Sequence, residues 1–457
     1  MSHAVGTRPR AETPYEIPVM QLLPVMEGLH SAEAFNPAFL EAFFRRAQEV
    51  ESRPLEFSEA LRGSIIATVF AEPSTRTRLS FESAAHRLGA SVISVSDPKT
   101  TSGTKGETLA DMAKVIGSYC DLLVLRHPND GASRLASLYA GVPVVNGGDG
   151  RLGHPTQTLV DLYTLYRKWG DFEGCTVALM GDLRNGRTAR SLAWGLAMLG
   201  ARILLLPGKG LDWEASFERR ILDKFDYRLR WGKHPLFAEW TGSTEARVLE
   251  PKGLVQKSLF REDPPEIDKL DAMYLTRMQA ERGAEVGSGG YPGVTLDHLK
   301  NPLMESCLLL HPLPRCEELP ASVDQDPRAL YFEQAAMGPI VRQVVFLAML
   351  GEDKWPLPSL APLPAGSSEH DLGLCPNEGC VTRAEGIPAP WRVVGLTRRS
   401  FLCSYCDSLL PIDYAGCRST QRVHPVHSQA ALRISPENLR PFLRRDEATA
   451  AGYTWGG

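Results

Sequence analysis

Between residues 64 and 311 the chain repeats one pattern, a short apolar, often β-branched run followed by a segment of helix length. The runs are Ser64–Phe70, Ala90–Ser96, Asp121–Arg126, Val142–Gly147, Thr176–Asp182, Ala201–Pro207, Ala272–Thr276 and Ser306–His311. Stretches such as TVALMGD and ARILLLP offer no polar face, which suits parallel strands covered on both sides. Strand–helix alternation predicts an α/β fold with crossover helices. Eight strands fit one barrel or two open sheets, and in either case ligands collect at the strand C-termini.

The length of 457 residues allows two to four domains of about 100–200 residues. Hydrophobic residues make up 43% and charged residues 23%, which excludes a wholly disordered chain. Lys and Arg total 50 against 54 Asp and Glu, a formal net charge of −4. A nucleic-acid binder that works by neutralising phosphates is usually far more basic. No run of 18 apolar residues occurs and the N-terminal MSHAVGTRPR has no apolar signal core, so a cytoplasmic location without membrane contact is expected. Two segments break the rhythm. Residues 208–265 mix Trp, Lys, Arg and Pro with weak periodicity and are expected to hold an insertion, while 355–370 (WPLPSLAPLPAGSSEH) has linker composition.

Six motifs fall at or just past predicted strand ends. The first, Ala71-Glu72-Pro73-Ser74-Thr75-Arg76-Thr77-Arg78, leads from a strand into a helix. Backbone N–H groups, hydroxyls, a guanidinium and the positive end of a helix dipole meet there, as a phosphate site requires. An isolated Ser-Thr-Arg is more often an ordinary helix cap, but Ser-Thr-Arg-Thr at a strand-to-helix turn favours the anion. The others are Arg126-His127-Pro128, His154-Pro155-Thr156-Gln157, Gly181-Asp182-Leu183-Arg184-Asn185-Gly186-Arg187-Thr188, Leu275-Thr276-Arg277-Met278-Gln279 and His311-Pro312-Leu313-Pro314-Arg315. Each is weak alone; together they describe one polar site built from strand ends.

Of nine cysteines, Cys120, Cys175, Cys307 and Cys316 are scattered and five lie between Cys375 and Cys417. The spacing Cys375-x4-Cys380-x22-Cys403-x2-Cys406 has the form of a tetrahedral structural zinc site, one zinc per chain. Cys417 falls outside it.

STRTRLSFE, RHP, HPTQTLVDLY, GDLRNGRT, TRMQAER and HPLPR, in this order, resemble the catalytic chain of the aspartate transcarbamoylase family over residues 14–351. The resemblance implies two doubly wound parallel-sheet α/β domains. A carbamoyl phosphate-binding domain would span 14–153, completed by a helix near 334–351, and an aspartate-binding domain 154–333. CPNEGCVTRAE and FLCSYCD are similar to the zinc domain of the family's separate regulatory chain. Here that small zinc-binding β domain would occupy 372–425, fused behind a linker at 352–371 and followed by a tail at 426–457.

The implied activity joins carbamoyl phosphate and L-aspartate to give N-carbamoyl-L-aspartate and phosphate, a step of pyrimidine synthesis without a catalytic cofactor. By this resemblance Ser74, Thr75, Arg76 and Thr77 bind the phosphate with Arg126, and Thr77, Arg126 and His154 polarise the carbonyl. Gln157 and the backbone carbonyls of Pro312 and Leu313 hold the carbamoyl nitrogen, and Arg187, Arg277 and Gln279 take the aspartate carboxylates. The loop Thr100–Thr108 resembles one that reaches a neighbouring subunit. It assigns Ser102 to carbamoyl phosphate and Lys105 to both substrates within a homotrimer, which the zinc domain could extend to a higher oligomer. The spacing from Arg187 to Arg277 is longer than the family's, with the excess expected in 230–265. The family's regulatory chain also carries a nucleotide-binding domain ahead of its zinc domain. The short stretch between Gly351 and Cys375 leaves no room for one, so nucleotides are expected to act only by weak competition at the phosphate cradle. Two alternatives stay open: a carbamoyltransferase for another amine such as ornithine, and a catalytically silent assembly scaffold.

Overall fold

The computed structural model describes residues 28–95, 106–253, 267–279, 291–352, 375–388, 390–394, 400–435 and 438–456. Ser102, Lys105, residues 254–266 and the linker from 353 onward lie outside them.

Five parallel strands form the first sheet: β1 (Gly28–Leu29), β2 (Ile65–Phe70), β3 (Ser91–Val95), β4 (Leu122–His127) and β5 (Val144–Asp149), in the order β1-β5-β4-β2-β3. Between them lie α1 (Pro37–Ser52), α2 (Thr75–Arg87), α3 (Leu109–Gly117) and α4 (Ala132–Ala140). Asn36 starts α1 by accepting the Phe39 N–H at 2.9 Å, with Pro37 in the first turn, where its missing N–H costs nothing. Phe39, Leu40, Phe43, Phe44, Ala47 and Val50 then recur at helical spacing and are buried.

Helix α5 (Pro155–Trp169) leads to the second sheet, made of β6 (Thr176–Gly181), β7 (Arg202–Pro207), β8 (Tyr227–Lys233), β9 (Glu245–Pro251), β10 (Ala272–Leu275) and β11 (Leu308–Leu310). The order is β11-β10-β6-β7-β9-β8. β11, β10, β6 and β7 are parallel, whereas β9 runs antiparallel to both β7 and β8. Helices α6 (Arg187–Met198), α7 (Ala215–Phe225) and α8 (Phe237–Thr241) pack against this sheet and its connections. Helix α9 (Tyr331–Leu350) then returns to α1, α2 and α5, with Phe346 and Phe81 ring centroids 5.9 Å apart.

All eight predicted runs are strands. The hairpin β8–β9 is additional and lies in the stretch expected to hold an insertion. Charge hides it along the sequence. Arg228, Arg230 and Arg202 approach the buried Glu250 at 2.7, 3.6 and 3.7 Å, so a segment that reads as polar loop satisfies its charges in space.

The C-terminal residues form two small sheets. After α10 (Val381–Ala384), β12 (Trp391–Val394) and β13 (Ser400–Cys403) pair antiparallel around the cysteines. A four-stranded sheet follows, with β14 (Tyr414–Cys417), β15 (Arg422–Pro425), β16 (Leu439–Phe442) and β17 (Thr454–Trp455) in the order β16-β14-β15-β17. It carries the short helices α11 (Gln429–Leu432) and α12 (Arg445–Ala450). The described residues after 425 therefore do not form a separate tail, and the expected boundary at 425 would cut through this sheet. Each strand has at most four residues, too few for alternation to show in sequence.

The cysteine module is docked on the body. Arg134 of α4, fully buried, makes a two-pronged ion pair with Asp407 at 2.8 Å on both arms and also donates to the carbonyls of Ser404 and Tyr405. Asn377 Nδ2 donates to Asp130 at 2.7 Å. Gly131, at φ +84, brings its backbone so close to Tyr405 that a Cβ would sit 2.5 Å from the Tyr405 carbonyl, so the contact requires glycine. Core residues of β2, β4 and α4 are continuous with Cys375, Trp391 and Tyr405. Removing one partner of a buried ion pair costs about 3–5 kcal/mol, more than replacing both. Asp407→Ala should lower the thermal midpoint and open the module to proteolysis, and Arg134→Met/Asp407→Leu should recover much of the loss. A double variant as unstable as the single one would show that the pair is not what secures the module.

Candidate active site

The six sequence motifs meet in one cleft of about 720 Å³ between the two sheets. Each arrives from the C-terminal end of a strand. β2 delivers Ser74, Thr75, Arg76 and Thr77, and Arg126 is the penultimate residue of β4. The turn after β5 delivers His154, which caps α5, and Gln157 follows one turn on. Arg187 opens α6 after β6, Arg277 and Gln279 follow β10, and Pro312 and Leu313 follow β11. This is where an open α/β sheet leaves its backbone groups and helix N-termini free for ligand.

Positive charge dominates the cleft. Glu72 stands between Arg126, whose Nε donates at 3.1 Å, and Arg187, whose Nη2 lies at 3.4 Å. Arg187 Nη1 also donates to the Gly150 carbonyl at 2.9 Å. Arg76 has its pKa lowered by burial and then by the charge of Arg277. The two come from different sheets and face the same space, which favours an anion between them.

His154 is buried, and its pKa lies well below 6.5, first from desolvation and then from Arg187, Arg126 and Arg342. Its Nδ1 lies 3.3 Å from the Thr156 hydroxyl, and among the described residues its Nε2 has no hydrogen-bond partner. With the Thr156 hydroxyl donating to Nδ1, the proton sits on Nε2, and the ring offers a neutral donor to the cleft.

Several residues given no role in the sequence analysis, some inside the motifs and some outside them, hold the others in place. Gln157 Nε2 donates to Asp161 Oδ1 at 2.7 Å, and Gln334 Nε2 donates to the same oxygen at 2.6 Å. Asp161 therefore orients the Gln157 amide with its oxygen turned the other way. Gln334 Oε1 accepts the His311 N–H at 2.9 Å, and His311 Nδ1 accepts the Leu313 N–H at 2.8 Å. That chain fixes the turn carrying the Pro312 and Leu313 carbonyls, with Leu313 at φ +53. Asp182 accepts the backbone N–H groups of Asn185 and Gln279, tying the Arg187 loop to the Arg277 loop. Arg342 is buried over Phe81 at 4.6 Å, and burial pulls its pKa down to about 9. Asp161 lies one helical turn from Gln157, a spacing visible in sequence; Gln334 is 173 residues from Asp161 and has no such signal.

The second candidate centre is the cysteine cluster. The sulfurs of Cys375, Cys380, Cys403 and Cys406 are buried and lie within 4.8 Å of one another, with Cys375–Cys406 at 3.4 Å and Cys380–Cys403 at 3.9 Å. A disulfide needs about 2.05 Å. Tetrahedral thiolates on a metal at about 2.3 Å stand about 3.8 Å apart, so the four could hold a metal ion.

Fold and cleft together define a two-sheet α/β protein with a cationic anion site at its strand ends. The family model for the aspartate/ornithine carbamoyltransferase carbamoyl-P binding domain matches residues 28–167. The chain is 41% identical over 300 residues to the aspartate carbamoyltransferase catalytic subunit of Thermoplasma acidophilum, covering 65% of this chain and 88% of that one. It is 42% identical over 328 residues to that of Thermococcus kodakarensis, covering 70% and 96%. The catalytic subunit of M. jannaschii aspartate transcarbamoylase superposes with a TM-score of 0.55 at 32% identity, over 71% of this chain and 97% of that one. The Trypanosoma cruzi enzyme in complex with carbamoyl phosphate gives 0.58 at 29% identity, over 73% and 99%. The chain belongs to the aspartate carbamoyltransferase catalytic-subunit family.

The electrostatics of His154 make a direct prediction. Its imidazole should stay neutral from about pH 8 down to about pH 6, because protonation would place a buried cation beside three guanidiniums. Nitrogen-15 NMR of labelled histidine should show no titration of His154 near 6.5; a midpoint at that value would contradict the geometry.

Proposed function

We propose that the cleft transfers the carbamoyl group of carbamoyl phosphate to the amine of L-aspartate, as an aspartate carbamoyltransferase of pyrimidine synthesis. The observation that carries this reading is the convergence of Arg76, Arg126, Arg187 and Arg277 on one cleft beside a neutral His154. In this reading the α2 N-terminus, Ser74, Thr75, Arg76, Thr77 and Arg126 hold the phosphate, joined by Ser102 and Lys105 from a neighbouring subunit of a homotrimer. Thr77, Arg126 and the Nε2–H of His154 stabilise the carbonyl oxygen as charge develops on it. Gln157 Oε1 and the carbonyls of Pro312 and Leu313 accept from the carbamoyl NH2. Arg187, Arg277, Gln279 and Lys105 clamp the aspartate carboxylates. The amine nitrogen bonds to the carbonyl carbon, the carbon–oxygen bond to phosphate breaks, and an amine proton leaves with the phosphate. Positioning and charge stabilisation carry the step, with no enzyme nucleophile required.

An acceptor side built from guanidiniums suits a dicarboxylate and repels the cationic side chain of ornithine. Assayed with both amines, the protein should turn over aspartate and not ornithine. Arg277→Ala should raise the KM for aspartate by about tenfold to a hundredfold, and His154→Ala should lower kcat by about 10²–10³-fold. Equal use of ornithine would sink the acceptor assignment, and absence of turnover with either amine would favour an assembly scaffold.

We also assign zinc to the cysteine cluster, as a structural ion on four thiolates, in a domain fused behind the catalytic body and working in the cytoplasm. The thiol spacing and the burial of all four sulfurs support a closed site with no open position for substrate. Elemental analysis should find one zinc per chain, and Cys403→Ser should loosen the module while leaving the groups of the cleft in place. Protein purified without chelator and free of zinc would overturn the assignment.

A further inference from the structure

Arg220, Glu33, Arg392, Asp407 and Arg134 form one chain of alternating charge through the three parts of the molecule. Arg220 lies on α7, which packs with the second sheet, and its Nη2 donates to Glu33 Oε2. Glu33 stands in the short 3-10 turn Ala32–Ala34 that follows β1 of the first sheet. The same Glu33 oxygen lies 3.6 Å from Arg392 of the cysteine module, and Arg392 pairs with Asp407 at 2.6 Å. Asp407 in turn takes Arg134 of α4. The least buried side chain of the five is 17% exposed, so solvent screens the chain weakly. Exposed ion pairs contribute little. Here one carboxylate holds two partly buried guanidiniums from different parts, and they repel each other once it is neutralised.

The chain reaches the cleft through α6. The turn bearing Glu33 packs on that helix. Arg220 lies over the Trp194 ring of α6, 5.4 Å from its centroid, and Trp194 meets Phe225 of α7 edge-on at 4.9 Å. Two turns before Trp194 is Arg187, at the start of α6 and in the cleft. Within the cleft the second half touches the first through Arg187, on Glu72 and the Gly150 carbonyl. A guanidinium assigned to a substrate carboxylate is a poor fixed point for a domain, because the ligand competes for it. Apolar helix packing, as where α5 meets α6 and α9, permits small sliding. Glu33 and Arg220 instead fix one distance between the halves, and neither lies in the cleft lining.

We propose that Glu33 is a positioning residue for the reaction, setting through Arg220 the angle at which the aspartate groups on the second sheet face the phosphate groups on the first. The proposal rests on the catalytic reading above. Ser74, Thr75, Arg76, Thr77 and Arg126 all belong to the first sheet and its loops, so inorganic phosphate needs no such angle. A ligand that joins a phosphonate to aspartate spans both halves. Its apparent affinity falls with the fraction of molecules in which the halves are correctly set.

Calorimetry on the full-length protein tests this with two probes. One is inorganic phosphate and the other is N-(phosphonacetyl)-L-aspartic acid, the compound bound in a solved structure of the Trypanosoma cruzi relative. Glu33→Gln should bind the second compound at least about fivefold more weakly and bind phosphate as the unaltered protein does. In steady state its KM for aspartate should rise while kcat changes little. Arg220→Met should weaken the compound less than Glu33→Gln, because it removes a repelling cation together with the attraction. Glu33→Gln/Arg220→Met should be no weaker than Glu33→Gln alone, and Arg220→Lys should recover most of what Arg220→Met loses. If Glu33→Gln does not fold, the two Arg220 variants carry the same comparison. Equal weakening of both probes would show a general loss of structure, and unchanged affinity for the compound in Glu33→Gln and Arg220→Met would show that the pair sets nothing in the cleft; either result overturns the proposal. The affinity of the unaltered protein for the compound tests the catalytic reading by itself, so the two failures are distinguishable.

Discussion

Repulsion among guanidiniums is the constraint that the body is built around. Arg76, Arg126, Arg187, Arg277 and Arg342 all line one cleft. Glu72 screens Arg126 from Arg187, and the buried Asp161 opposes the loss of charge on Arg342, but Arg76 and Arg277 push against each other. Such an arrangement persists only where the backbone is held firmly. Each of these arginines sits at or near a strand end, or on a helix whose opposite side is packed in the core. The continuous core through α1, α2, α5, α6 and α9 supplies that rigidity. The resting cleft is thus high in electrostatic energy, and an anion entering it relieves strain as well as making contacts.

The same logic joins the cysteine module to the cleft. Asp130 accepts from Asn377 of the module and also from the Arg151 N–H. The residue before Arg151 is Gly150, whose carbonyl accepts from Arg187. A Cβ on Gly150 would collide with the Asp130 carboxylate, so this close approach is possible only for glycine. The path from the module to the Arg187 guanidinium in the cleft is therefore a few hydrogen bonds long, through backbone with little room to move. With Arg134 locked onto Asp407 nearby, the module acts as part of the wall that positions Arg187.

What the sequence disclosed follows from how local each signal is. Seven of the eight strands were legible because both faces are covered, which makes runs such as Thr176–Gly181 nearly all apolar. The largely exposed edge strand Ser91–Val95 was legible from its β-branched residues. β8 and β9 were not, because Glu250 finds its cations across strands. The four-stranded C-terminal sheet was not, because its strands are short and polar. In the cleft, the groups expected to touch substrate lie in compact motifs at strand ends and could be named one by one. Glu72, Asp161, Asp182, Gln334 and Arg342 act through other residues, and their partners are brought near only by folding. Glu72 stood inside the first motif, but nothing local says that its carboxylate faces Arg126 and Arg187. Ser102 and Lys105 lie outside the described residues, so their place in the cleft rests on resemblance alone.

Asp161 shows how such a supporting residue can be buried, ionisable and still tolerant of pH. Burial pushes its pKa up to about 7, against the pull of the Gln157 and Gln334 amides. Both amides donate to Oδ1, so the proton of the neutral form goes to Oδ2, beside the buried Tyr274 hydroxyl. A carboxylic acid keeps a carbonyl acceptor when it takes up a proton, so Oδ1 continues to orient Gln157 in both states. What changes is charge. Below about 7 Asp161 no longer offsets Arg342, and the cleft becomes more positive by one unit while its amide geometry stays fixed. Protonation there strengthens the positive field of the cleft without moving the Gln157 amide that lines it. Orientation and electrostatics, which a single buried carboxylate would ordinarily couple, are separated by assigning each to a different oxygen.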